Sequence, residues 1–124
     1  MKKFILPLIL ALIASPALAK PAKTYVTPIQ FAKGSECGSF DGSLANREFT
    51  LHLKKNQWIR IGIESSKPIT EIVKDPKGKT LKHDDGDEWG VIYDIKQTGK
   101  YHIAFELEDK AYPFAEVKIC AYDK

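Results

Sequence analysis

Apolar residues recur at every second position along most of this chain, and that spacing decides what it can fold into. Phe49, Leu51 and Leu53 alternate with Thr50, His52 and Lys54, and Ile59, Ile61 and Ile63 alternate with Trp58, Arg60 and Gly62. Tyr101, Ile103, Phe105 and Leu107 alternate with His102, Ala104 and Glu106, and Ala115, Val117, Ile119 and Ala121 with Glu116, Lys118 and Cys120. A strand projects successive side chains to opposite faces, so each run predicts a strand with one dry and one wet face. Beyond the first nineteen residues no segment of about ten residues shows the 3.6-residue period of an amphipathic helix.

Turn signals separate the runs. Lys54-Lys55-Asn56-Gln57 divides the first two strands, Asp75-Pro76-Lys77-Gly78 is a tight-turn sequence, and Thr98-Gly99-Lys100 opens the strand at Tyr101. Asp84-Asp85-Gly86-Asp87 reads as a polar loop before Trp89, and Asp109-Lys110 leads to the strand after Pro113. The pattern yields eight or nine short strands, hence an all-β sandwich or barrel.

The chain opens with an export signature. Lys2 and Lys3 precede the apolar run Phe4 to Ile13, and Ala17-Leu18-Ala19 supplies a small-x-small cleavage site. The run is too short to span a bilayer. We therefore expect residues 1–19 to be removed and 20–124 to form one domain in the periplasm or outside the cell. Losing Lys2 and Lys3 lowers the formal charge from +3 to +1. A near-neutral domain without a Lys/Arg stripe gives no basis for nucleic-acid binding. No membrane partner is expected after cleavage.

An even cysteine count in an exported chain predicts a disulfide between Cys37 and Cys120. Strand alternation sets Cys120 on the face opposite Val117 and Ile119. Either the bridge lies on an outer face or edge, or a bulge resets the register.

Catalytic constellations are poorly supplied. The histidines are His52, His83 and His102, and alternation turns His52 and His102 to solvent. Oxidised cysteines are not nucleophiles, and the acids mostly fall on turns and strand exteriors, where solvated carboxylates are ordinary. The reading is a protein that is not an enzyme and needs no cofactor. Asp84, Asp85, Asp87 and Glu88 form the best oxygen-rich cluster. It lacks EF-hand spacing, so no metal ligands are assigned, and it reads as a solvated loop or a contact for a basic partner.

Several stretches resemble a known family. They are Phe31-Ala32-Lys33-Gly34, Phe40-Asp41-Gly42-Ser43-Leu44, the run from Phe49 to Gln57, and Gln97-Thr98-Gly99-Lys100-Tyr101-His102-Ile103. Together they are similar to the bacterial periplasmic inhibitors of g-type and i-type lysozymes, themselves similar to pre-peptidase C-terminal domains. The resemblance runs from about Ile29 to Tyr122 and implies an antiparallel β-sandwich of jelly-roll type. It also implies a lysozyme partner, inhibited by insertion of a loop into its active-site cleft. In that family a Ser-Gly-x-Tyr motif contributes to inhibition, and the matching residues here are Thr98, Gly99 and Tyr101, with Lys100 at the variable place. Thr98 keeps the serine hydroxyl and adds a methyl group. The alternative reading is a stand-alone binding module for glycan, or for calcium at the acidic loop.

Overall fold

The computed structural model describes residues 23–31 and 34–124. The export segment expected over 1–19 lies outside the described residues, as do Ala32 and Lys33. Nine strands follow one another: β1 (Tyr25–Pro28), β2 (Cys37–Ser43), β3 (Arg47–Leu53), β4 (Gln57–Ser65), β5 (Ile69–Lys74), β6 (Asp85–Asp87), β7 (Gly90–Asp94), β8 (Gly99–Leu107) and β9 (Phe114–Asp123). No helix occurs among the described residues, as the two-residue period requires.

The strands form two sheets, one in the order β1-β3-β8-β5 and the other β2-β9-β4-β7-β6. The chain changes sheet at every connection except β6 to β7. Strands 2-9-4-7 facing 3-8-5 is the interleaved order of a jelly roll. The expectation of an antiparallel sandwich holds with one exception. The edge strand β1 runs parallel to β3, with Tyr25 opposite Arg47 and Pro28 opposite Thr50. Its backbone carries only four residues and its side chains are largely exposed, so the period-two signal had little to register there.

The core lies where the alternating residues meet between the sheets. Phe49, Leu51 and Leu53 of β3, Ile59 and Ile61 of β4, Tyr101 and Ile103 of β8, and Val117 and Ile119 of β9 are all buried. Phe49 sits between Phe40 and Phe105 in edge-to-face contact, with ring centroids 5.1 and 5.6 Å apart. Burying each such side chain contributes roughly 1.5–3 kcal/mol.

Cys37 and Cys120 are direct cross-strand partners of β2 and β9 and are joined by a disulfide. In β9 the residues Ala115, Val117, Ile119 and Ala121 stay buried in unbroken alternation. No bulge resets the register, and the bridge lies on the outer face of the five-stranded sheet.

Candidate functional site

The segment around Thr98 is held by two other turns at one end of the sandwich. The chain leaves β7 through Ile95, which pairs with the turn after β3: Asn56 N donates to Ile95 O at 3.0 Å, and Ile95 N donates to Gln57 O at 2.9 Å. Thr98 Oγ1 accepts from Lys55 N at 3.0 Å, and Thr98 is exposed, so its own hydroxyl proton points to a partner or to water. The third turn, after β5, is built on Asp75. Its buried carboxylate accepts at Oδ1 from Lys77 N and Lys79 N, both at 2.9 Å, and at Oδ2 from Gln97 Nε2 at 3.1 Å. Asp75 therefore satisfies a tight turn and ties it to the residue before Thr98.

Gly99 is required where these turns meet. Its φ is +153°, and a Cβ there would come within 2.5 Å of the Pro76 ring. Only glycine admits both that backbone angle and that approach. Gly99 and Lys100 already belong to β8, opposite Leu53 and His52.

Sequence reasoning placed Thr98, Gly99, Lys100 and Tyr101 together on a presented loop. The structure keeps them contiguous but divides their roles. Thr98 and Lys100 are exposed, whereas Tyr101 is 1% exposed and faces the core with Ile103. Its hydroxyl donates to Gln97 O at 2.6 Å, and burial pushes that hydroxyl above the ordinary tyrosine range. The tyrosine ring is not available to a partner, because strand alternation from Ile103 fixes it inward. It instead closes the turn that carries Thr98.

Asp75, Pro76, Gln97 and Lys55 were not singled out as site residues. The Asp-Pro turn was legible as a turn, but no pattern in the chain links it to Thr98.

Around Thr98 the three turns carry Lys54, Lys55, Lys77, Lys79, Lys96 and Lys100, all exposed. Their one acid is the buried Asp75. One end of a sandwich whose overall charge is small thus carries an exposed hydroxyl and several exposed lysines on the turns that meet there.

The acidic cluster is a hairpin, not a loop: β6 pairs with β7, Asp85 opposite Ile92 and Asp87 opposite Gly90. Most of its acids bond within the fold. Asp84 Oδ2 accepts from Asp94 N at 2.8 Å, Asp85 Oδ1 from Gly86 N at 2.8 Å, and Asp87 from Trp89 N and Arg60 Nη2, both at 2.9 Å. Burial would raise the Asp87 carboxyl, but the Trp89 N–H and the Arg60 guanidinium together outweigh it and hold it below the usual carboxylate value. Glu88 is exposed at the hairpin tip. Among the described residues no three His, Cys, Asp or Glu side chains converge as a metal cradle.

The histidines are scattered. His52 is exposed on β3, His102 Nδ1 lies 3.5 Å from Glu48 Oε1, and the His83 ring meets Tyr93 edge-on at 6.2 Å.

No protein-family model matches the chain, and no curated protein matches it. Solved structures do. A mutant of PliG-Ec, a periplasmic lysozyme inhibitor of g-type lysozyme from Escherichia coli, superimposes with a TM-score of 0.58 at 16% identity, over 80% of this chain and 99% of that one. PliG of Salmonella Typhimurium, likewise a periplasmic inhibitor of g-type lysozyme, gives 0.52 at 15% identity, over 82% and 100%. This chain has the fold of those inhibitors. The pre-peptidase C-terminal domain of a Bacillus anthracis collagenase shares it too, with a TM-score of 0.51 at 8% identity, over 84% and 99%.

Proposed function

We propose that this protein is a periplasmic inhibitor of lysozyme, of the g-type or i-type, and that it binds through the lysine-rimmed end at Thr98. In this reading residues 1–19 direct export, residues 20–124 form the inhibitory domain, and the chain binds without catalysing. The observation that carries it is the exposed Thr98 hydroxyl, braced by Lys55 and by the Pro76–Gly99 contact, on a meeting of turns that carry exposed lysines. A lysozyme cleft holds a pair of carboxyl groups and hydrogen-bonding positions for sugar hydroxyls. A rim of hydroxyl and ammonium donors complements both. The likeness to the PliG structures supports the same reading through the fold.

Gly99 and Lys100 lie in β8, and Tyr101 supports them from within. What enters the cleft is therefore a stiff turn rim and not a long loop. A rigid rim loses little conformational entropy on binding.

The test is a cell-wall lysis assay with purified protein and c-, g- and i-type lysozymes. Stoichiometric inhibition of the g-type or i-type enzyme is expected, weakened in Thr98→Ala and in a Lys54→Glu/Lys55→Glu/Lys100→Glu variant. No inhibition of any of the three enzymes would end this reading.

A further inference from the structure

The outer face of the five-stranded sheet carries a second feature, separated from the Thr98 rim by the length of β7. Strand pairing sets its side chains in rows. Ser39 lies opposite Lys118, Lys118 opposite Gly62, and Gly90 opposite Asp87. With Ile61 opposite Val91, the same register brings Gly62 beside Gly90. Two adjacent strands therefore lack side chains at the middle of the row.

The backbone forbids filling them. A Cβ on Gly62 would lie 2.6 Å from Trp89 O, and one on Gly90, at φ +145°, would lie 2.2 Å from Ile61 O. The result is a trough of about 690 Å³ walled by Trp89, Glu88, Glu64, Glu116 and Lys118. A smaller hollow of about 340 Å³ adjoins it, walled by Arg60, Tyr122, the disulfide, and again Trp89 and Lys118. Trp89 and Lys118 are shared by both.

Two features at this place are uncompensated within the protein. The Trp89 indole is 69% exposed, although its backbone is pinned by the Asp87 carboxylate. Glu64 and Glu116 are direct cross-strand partners, an unfavourable arrangement of like charges, and neither forms an ion pair among the described residues.

One ligand chemistry suits both. A cation suits the glutamates but meets Arg60 and Lys118. An anion suits Arg60 and Lys118 but meets the glutamates. A hydroxyl both donates and accepts, and a pyranose couples a rim of hydroxyls to an apolar C–H face that packs on the electron-rich face of an indole. We propose that the trough beside Trp89 binds a pyranose oligosaccharide, with the indole as its stacking platform. Glu64 and Glu116 accept from its hydroxyls, and Lys118 donates to them. The site does not depend on the lysozyme reading, since it shares no residue with the Thr98 rim.

Isothermal titration calorimetry of the purified protein with chitotetraose, cellotetraose and tetralysine tests this. Saturable binding of at least one oligosaccharide at up to millimolar concentration is expected, and the preferred one shows whether acetamido groups are read. Trp89→Ala should weaken that binding about tenfold or more. The Glu64→Gln/Glu116→Gln pair should weaken it severalfold, and Thr98→Ala should leave it unchanged. Because Trp89 is exposed, its variant is expected to keep the parent melting temperature, which is checked alongside. No binding of either sugar, an unchanged affinity in Trp89→Ala with its melting temperature intact, or binding of tetralysine alone would overturn the proposal.

Discussion

The hydroxyl of Tyr101 donates to the carbonyl oxygen of Gln97 at 2.6 Å, and so closes from beneath the turn that exposes Thr98. The two residues of the motif that resemble an inhibitory signature are thus separated by function: one faces outward, the other holds it in place. Tyr101→Phe should keep the ring in the core and lose only the hydrogen bond, lowering stability by about 1 kcal/mol. Tyr101→Ala should cost about 3–5 kcal/mol, as truncation of a buried aromatic does. Urea unfolding of both variants checks this, and equal losses would mean that the ring is not packed as described.

Inhibition should respond to the rim and not to the core. Thr98→Ala removes an exposed hydroxyl and the acceptor of Lys55 N, and should weaken inhibition by about 0.5–1.5 kcal/mol, roughly two- to tenfold. Reversing the charge of Lys54, Lys55 and Lys100 should slow association more than it speeds dissociation, and the effect should shrink with added salt. Stopped-flow association rates at two ionic strengths would show it. Rates independent of salt would remove the lysines from the contact.

Asp75 supports the rim at a distance. Asp75→Ala strips the acceptor from Lys77 N, Lys79 N and Gln97 Nε2 together. A loss of about 1–2 kcal/mol is expected by chemical denaturation, since three donors lose one shared, buried acceptor. A variant as stable as the parent would contradict that network.

The alkaline limit of stability should be set by tyrosine. Tyr93 is raised chiefly by burial and further by its hydrogen bond to the Glu71 carboxylate at 2.7 Å, and Tyr101 is raised chiefly by burial. Both folded-state values exceed the unfolded value of about 10. Below about pH 10 both states hold these protons and the stabilisation is complete. Above it the unfolded chain releases protons that the folded one retains, so stability falls as pH rises toward the folded values. Denaturant midpoints should drop between about pH 9 and pH 11. Phenolate absorbance from Tyr93 and Tyr101 should appear only with unfolding. Titration of all five tyrosines in the ordinary range in the folded protein would refute this.

Reduction of Cys37–Cys120 should lower stability substantially. The bridge closes a separation of 83 residues, for which the chain-entropy relation gives about 4.5 kcal/mol. Comparing urea midpoints with and without a thiol reductant measures it. A negligible change would mean that the unfolded chain is already compact.

The strands were legible because side-chain alternation is a local property. Phe49 to Leu53, Ile59 to Ile63, Tyr101 to Leu107 and Ala115 to Ala121 each declare their buried face without reference to any neighbour. The same rule correctly turned Cys120 outward and Tyr101 inward. It could not see that β1 pairs in parallel with β3, nor that the Asp84–Asp87 segment pairs with β7, because both strands are short and lack the apolar alternation that marks the others.

What remained hidden belongs to pairs of residues far apart in the chain. Thr98 could be picked out alone, but its bracing by Lys55, 43 positions earlier, and the seating of Pro76 on Gly99 exist only once β3, β5 and β8 lie side by side. The trough at Trp89 likewise needs Gly62 and Gly90 brought together by the register of β4 and β7. Alternation along a strand is written in consecutive residues. Adjacency across a sheet arises from which strands pair and in what register, and that is a decision of the whole fold.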